Sequence, residues 1–191
     1  MAVQVERRDV VTVVVHGSLA GLVAGLILGT ATVVGSLVLS GDASLPFRFA
    51  AAFVVGPAAL GDQLSMAAAV LLGAAIHFSL AALFGIVFVG LLALTYQLSA
   101  RWWLLVVYGA IFAFGVWEVD FMAAVPALFP FLVDRLDLPT QLWAGILSYA
   151  LVYGPILGAY VAIVRPGVIG DWHAVGPPAG VFTGTTGNER D

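Results

Sequence analysis

The sequence contains no cysteine and no lysine, and charged residues of all kinds occupy only 9% of its 191 positions. The absence of cysteine excludes disulfide bonds, thiolate metal sites and cysteine nucleophiles. A soluble domain typically has about 25% charged residues, because water must solvate its surface. Seven basic and eleven acidic side chains give a net charge of −4, so we expect no nucleic-acid partner.

Motifs for catalysis and cofactor binding are also missing. The chain has no P-loop, no Gly-x-Gly-x-x-Gly phosphate loop, no nucleophile elbow and no His-Glu-x-x-His spacing. A bis-histidine haem site would need a second histidine at the membrane depth of His77, whereas His16 lies near the inner end of the first apolar run. We therefore predict that the protein is not an enzyme and has no metal or other cofactor.

Long apolar runs dominate what the sequence does contain. Hydrophobic residues make up 62% of the chain, and the mean hydropathy is +1.08. The apolar runs at about 10–40, 66–94, 102–125 and 141–164 each reach the roughly 20 residues that a helix needs to cross the hydrocarbon core. The first is far longer than the apolar part of a signal peptide, so we interpret it as an uncleaved span. The sequence predicts an all-α bundle of four transmembrane helices, forming a single domain over 1–166.

The segments outside these spans differ in character. Residues 45–62 include an apolar stretch that is too short to cross a membrane and that holds Arg48, Gly56 and Pro57. We expect an interfacial amphipathic helix or a shallow re-entrant segment there. Residues 167–191 are rich in glycine, proline and threonine, which predicts a tail without regular structure.

The arginine positions predict the orientation. Arg7, Arg8, Arg101 and Arg165 flank the spans on one side of the membrane. The loops on the other side pair their arginines with aspartates. Because short cytoplasmic loops carry an excess of arginine and lysine, we predict a multi-pass protein of the bacterial inner (plasma) membrane with both termini in the cytoplasm.

Small residues recur at intervals of four in three spans. The first span has Gly17, Gly21, Gly25 and Gly29, the fourth has Ala150, Gly154, Gly158 and Ala162, and the second has Gly73, Ala81 and Gly85. Such stripes allow helix backbones to approach closely, which is how helices associate in lipid. They predict tight packing within the bundle, or docking against a partner subunit.

Three residues form a candidate intramembrane polar site. At 1.5 Å per residue, His77 lies about 16 Å into the second span. Glu118 and Tyr149 each lie about 10 Å from the outer end of their span, and so at similar depth. A buried ionisable group needs a partner, so we expect a His77–Glu118 hydrogen bond supported by Tyr149. Asp120 is shallower, and we expect it to reach the outer interface. The site is interpreted either as a proton relay, a ligand site or a cofactor site in the outer half of the membrane, or as a polar contact that holds helix register.

Four sequence segments suggest a family. They are LPFRFAAAFVVGPAAL, GAAIHFSLAALFGIVF, YGAIFAFGVWEVDFMAAVPALFP and ILSYALVYGPILGAY. In this order they resemble a loose group of small four-span bacterial inner-membrane proteins, some of them similar to a family associated with acid resistance. The resemblance covers about 17–160 and implies a four-span fold. The chain departs from the group at Trp143-Ala144-Gly145, where the last span usually opens with a polar residue or histidine.

These features favour a non-catalytic accessory subunit of a larger membrane complex. The lipid bilayer and other membrane subunits are then its partners, and the glycine faces are its contacts. A small proton-linked channel or transporter that uses His77 and Glu118 is the main alternative. A cofactor-binding membrane anchor of an electron-transfer complex is a second alternative.

Overall fold

The computed structural model describes residues 7–95, 101–133 and 145–168, and no β-strand occurs in these ranges. The α-helices are α1 (Arg7–Ser40), α2 (Leu45–Val55), α3 (Met66–Leu94), α4 (Trp102–Trp117), α5 (Val125–Leu128), α6 (Pro130–Val133) and α7 (Gly154–Val168). A short 3-10 helix, Gly56–Ala59, follows α2. Two π-helical segments, Glu118–Ala124 and Ile146–Tyr153, directly precede α5 and α7.

Within the described ranges, four helical stretches are long and apolar enough to cross a membrane. They are Val10–Ser40, Met66–Leu94, Trp102–Leu128 and Ile146–Val164. The third joins α4, a π-helical segment and α5, and the fourth joins the other π-helical segment and α7. The predicted all-α membrane bundle is confirmed. The predicted start of the fourth span at 141 and the tail beyond 168 lie outside the described residues.

The helices bury small residues and expose large apolar ones. On α1, Ala20 and Ala24 are fully buried, whereas Leu26 and Val38 on the same helix are 59% and 77% exposed. No polar or charged residue is buried among the described residues. A surface of this kind suits hydrocarbon, which solvates leucine and valine side chains where water would not.

Glycines bring α1 and α3 into backbone contact. A Cβ atom placed on Gly21 would collide with the carbonyl group of Ala81, and one on Gly85 would collide with the carbonyl oxygen of Gly17. A Cβ on Gly25 would lie 2.6 Å from the Cβ of Ala81. Because any side chain at these positions would separate the backbones, the glycine series sets the distance between the two helices.

A second glycine contact joins α4 and α7. A Cβ on Gly154 would collide with the carbonyl oxygen of Gly109, and one on Gly158 would collide with that of Leu105. Both stripes are therefore occupied by helices of the same chain. The glycine faces that suggested a partner subunit are accounted for by packing within the bundle.

Helix α2 packs across the beginning of α3. A Cβ on Gly73 of α3 would collide with the carbonyl group of Phe47 in α2. Gly41 and Gly56 have φ angles of 74° and 65°, a left-handed conformation that glycine adopts without steric cost. Gly41 follows the end of α1 and Gly56 follows the end of α2, so each glycine redirects the chain where a helix stops.

Arg48 connects α2 to the segment that follows it. Its Nε donates to the carbonyl oxygen of Ala59 at 2.9 Å and its terminal nitrogen to that of Leu60 at 2.6 Å. It also forms an ion pair with Asp42 at 3.5 Å. Hydrogen bonds from the Ser44 hydroxyl and backbone N–H, together with the Arg48 charge, lower the pKa of Asp42. These bonds satisfy carbonyl groups that the short 3-10 helix leaves without partners.

Candidate functional site

Two π-helical segments contact each other within the bundle. The ring of Phe121 in the first meets the ring of Tyr149 in the second edge to face, with centroids 6.1 Å apart. The first segment closes with the N–H of Val125 donating to the carbonyl oxygen of Asp120, and the second with the N–H of Gly154 donating to that of Tyr149. Such five-residue turns are rare and often occur at functional sites.

Prolines account for both of these wide turns. Each π-helical segment ends two residues before a proline, Pro126 in the third span and Pro155 in the fourth. A proline lacks the N–H group, and its ring clashes with the carbonyl group four residues earlier. Those carbonyls belong to Met122 and Leu151, which lie inside the π-helical segments. A wider turn moves the carbonyl away from the proline ring, so the helix continues through the proline.

A cavity of about 450 Å³ lies between α2 and all four spanning helices, and the two π-helical segments form part of its wall. The wall is mostly apolar and partly open to the surface. Its aromatic side chains include Phe49, Phe53, Phe84, Trp117, Phe121 and Phe129. The polar side chains in the wall include His77, Asp120, Ser148, Tyr149 and Tyr153.

His77 lines this cavity and is held by α1. Its Nε2 lies 2.8 Å from the carbonyl oxygen of Gly25. A carbonyl oxygen only accepts, so Nε2 carries the proton, and Nδ1 of the neutral ring is an acceptor. The rings of Phe47 and Phe78 meet the imidazole edge to face at centroid distances of 5.8 and 5.2 Å. A Cβ on Gly29 would lie 3.2 Å from Nε2, so the glycine leaves room for the imidazole.

The two tyrosines of the second π-helical segment have different surroundings. The hydroxyl of Tyr153 donates to the carbonyl oxygen of Ala81 at 2.8 Å, which joins the fourth span to α3 in the buried core. The ring of Tyr149 lies 6.2 Å from that of Tyr153 and also packs on Phe121. Tyr149 therefore contacts one ring from each of the two π-helical segments.

The structure does not bring Glu118 to the predicted polar site. Glu118 is exposed and does not line the cavity, whereas Asp120 does. The expected His77–Glu118 hydrogen bond is not formed: His77 bonds to the carbonyl oxygen of Gly25, and Glu118 is exposed outside the cavity wall. Of the three predicted residues, His77 and Tyr149 meet at one cavity. Asp120, for which the sequence predicts a position at the outer interface, is the carboxylate that lines the cavity with them.

A regular series of buried residues explains which carboxylate faces inward. Leu105, Gly109, Ala113 and Trp117 are buried at intervals of four along α4. Residues three or four apart share a helix face, so the series continues to Asp120. Glu118, two residues earlier, faces roughly the opposite direction. This spacing is the sequence signal that could have identified Asp120.

Comparison with protein-family models, with curated proteins and with solved structures finds no match for the chain. The resemblance to small four-span inner-membrane proteins therefore stays a prediction.

The chemistry of the cavity favours binding. Among the described residues, no group of three histidine, aspartate or glutamate side chains is arranged to hold a metal ion. Among its described lining residues, the cavity instead combines one carboxylate, one imidazole and two phenol groups with aromatic and aliphatic side chains. Such a set can orient a largely apolar molecule through a few polar contacts.

Proposed function

We propose that the protein binds a small amphipathic molecule in the cavity between its membrane spans. The observation that carries this proposal is the cavity itself, whose volume of about 450 Å³ lies within the roughly 300–1,000 Å³ typical of ligand sites. The wall suits an apolar body, and His77, Asp120 and Tyr149 suit a polar end. Glu118 is exposed and does not line the cavity, so the carboxylate that lines it with His77 is Asp120.

We further propose that the cavity lies in the outer half of the bacterial inner membrane, with both termini in the cytoplasm. The arginines at the cytoplasmic ends of the predicted spans support this orientation. Helix α2, which follows the outer end of the first span, contributes Phe49 and Phe53 to the cavity wall. A ligand then enters from the outer leaflet or from the outer aqueous side.

The binding proposal is tested with N-phenyl-1-naphthylamine, a dye that is neutral at pH 7 and fluoresces strongly in apolar sites. The full chain in lipid nanodiscs is expected to bind the dye saturably, after subtraction of protein-free discs. Ala124 lines the cavity, and the substitution Ala124→Phe fills part of it. This variant should bind the dye about tenfold more weakly or worse, since a closely packed wall has no room for both rings.

The matched control is the neighbouring residue. Ala123 is exposed on the same π-helical segment, so Ala123→Phe adds the same ring outside the cavity. Dye binding by this variant should stay within about twofold of the original, a difference well below 1 kcal/mol. Equal binding by the two variants, or binding that does not saturate, would show that the dye dissolves in lipid and that the cavity is not a site.

A second candidate function, that of an accessory subunit, is favoured by a different surface. Ile111, Gly115 and Glu118 are exposed and follow one another at intervals of four and three, so they share one helix face. A Cβ on Gly115 would meet no atom within 4 Å. A carboxylate facing lipid is costly, and a partner helix that presents a cationic or hydrogen-bonding side chain at that depth would offset the cost.

Native mass spectrometry after mild-detergent purification tests this second candidate. We expect a heteromeric complex that dissociates in Glu118→Leu and in Gly115→Leu, because the first removes the polar contact and the second separates the helices. Leu151→Ala, at a residue 62% exposed on the fourth span, is the control and should leave the complex intact. A monomer, a homo-oligomer or a complex that survives both stripe substitutions would contradict an accessory role for this face.

A further inference from the structure

We infer that the molecule bound in the cavity is a lipophilic cation and that Asp120 binds its charged group. This inference rests on the proposed binding function and specifies the ligand class. It follows from the charges in the cavity wall, from the rings that surround them and from the position of Asp120 inside a spanning helix.

Among the described residues of the cavity wall, Asp120 is the one carboxylate and none is an arginine. Arg48 is engaged by the Ala59 and Leu60 carbonyls and by Asp42, and Arg101 lies at the first turn of α4, at the opposite end of the third span. His77 donates a hydrogen bond from Nε2 to the carbonyl oxygen of Gly25 in α1, and no ion pair between His77 and Asp120 is formed. The described wall therefore holds a carboxylate without a cationic partner.

The depth of Asp120 makes this imbalance costly. It lies eight residues before Leu128, the end of the third span, which is about 12 Å along the helix axis. A charged carboxylate at such a depth is unfavourable unless a partner of opposite sign or water accompanies it. A monovalent cation that enters the cavity would neutralise the charge, and an anion would be repelled by it.

The aromatic side chains of the cavity wall also favour a positively charged ligand. Phe121 follows Asp120 directly, Trp117 precedes it by one turn, and Tyr149 packs against Phe121. The faces of tryptophan, tyrosine and phenylalanine rings attract cations, most strongly where water is excluded. These rings also provide contact for the apolar part of the ligand. A cavity with one carboxylate and many rings therefore fits a positive charge that is spread over, or attached to, an apolar body.

The test compares two probes of the same shape and opposite charge. Tetraphenylphosphonium and tetraphenylborate both carry four phenyl groups around a central atom, and their binding to the full chain in zwitterionic nanodiscs is measured by equilibrium dialysis. We expect tetraphenylphosphonium to bind saturably and tetraphenylborate to bind about tenfold more weakly or worse, because the charge of Asp120 attracts the first and repels the second.

Two substitutions in the π-helical segment Glu118–Ala124 distinguish the effect of the Asp120 charge from that of a neighbouring charge. Asp120→Asn removes the charge with little change in shape, so it should weaken tetraphenylphosphonium binding about tenfold or more while the neutral naphthylamine dye still binds. Glu118→Gln removes a charge two residues away on a side chain that does not line the cavity, so it should change the affinity for the cation by less than about twofold. The retained dye signal also shows that the Asp120→Asn variant is folded.

The outcomes distinguish this inference from the binding function. Equal affinity for the two probes, or unchanged cation binding in Asp120→Asn, would overturn the cation assignment while saturable dye binding would leave the cavity as a ligand site. Absence of saturable binding by the dye and by both probes would overturn the cavity as a site and the cation assignment with it. Cation binding that is lost equally in Glu118→Gln would assign the charge effect to the protein surface and would also refute the role of Asp120.

Discussion

Replacing Gly21 by leucine is expected to separate α1 from α3 and to destabilise the bundle by about 3 kcal/mol or more, the upper part of the range for overpacking. The atoms nearest to a side chain at this position are backbone atoms of α3. A Cβ at this position already collides with the carbonyl group of Ala81, and a peptide group cannot move aside as the end of a side chain can. The measurement is the thermal unfolding midpoint in detergent, followed by tryptophan fluorescence.

The control for this prediction lies on the same helix. A Cβ on Gly35 of α1 would meet no atom within 4 Å, so Gly35→Leu adds the same side chain without a collision. We expect its midpoint to equal or exceed that of the original chain, because leucine also has a higher helix propensity than glycine. A Gly21→Leu variant as stable as Gly35→Leu would mean that the two backbones are not in contact in the folded protein.

Replacing Trp117 by alanine is expected to cost about 3–5 kcal/mol, the range for removing a fully buried large aromatic side chain. Trp117 is 1% exposed, and its ring fills the space that a Cβ on Gly145 would occupy. It also packs on Phe114 at a centroid distance of 5.6 Å. The residue lines the cavity, so its loss should both lower the unfolding midpoint and enlarge the ligand site.

Trp103 provides the comparison, because it lies on the same helix but is 44% exposed. Trp103→Ala should lower stability by much less, about 0.5 kcal/mol in detergent, since few protein contacts are lost. In the naphthylamine assay, Trp117→Ala should alter the dye affinity and Trp103→Ala should leave it unchanged. Equal losses of stability in the two variants would indicate that the Trp117 ring is not enclosed by the bundle.

The glycine series predicts that helices pack closely, but not which helices form each pair. Intervals of four in the first and fourth spans predicted close helix contacts. The series does not predict which helices are in contact, because a glycine stripe allows close approach by any helix with a small residue at the same depth. The pairs α1–α3 and α4–α7 follow from the complementary positions of Gly21 with Ala81 and of Gly154 with Gly109, which only the assembled bundle displays.

The candidate site shows a different kind of limit. The depth of His77 and Tyr149 was accessible from the sequence, since a helix rises by a constant amount per residue. Depth alone favours Glu118, whereas the rotation of the third span about its own axis places Asp120 in the cavity wall and leaves Glu118 exposed. The cavity also depends on π-helical turns at Pro126 and Pro155, and a proline alone does not specify whether a helix kinks, breaks or widens.

The sequence by itself therefore determined that this protein is a helical membrane bundle. Each apolar run must be long and apolar enough to cross the hydrocarbon core as a helix, and its length and hydropathy can be read from that run alone. It also identified the glycine stripes and the few ionisable residues within the spans. Only the tertiary structure decided the partner of each helix and the existence of the cavity. These depend on helix rotations and on the fit between distant side chains, and no single segment of the chain contains that information.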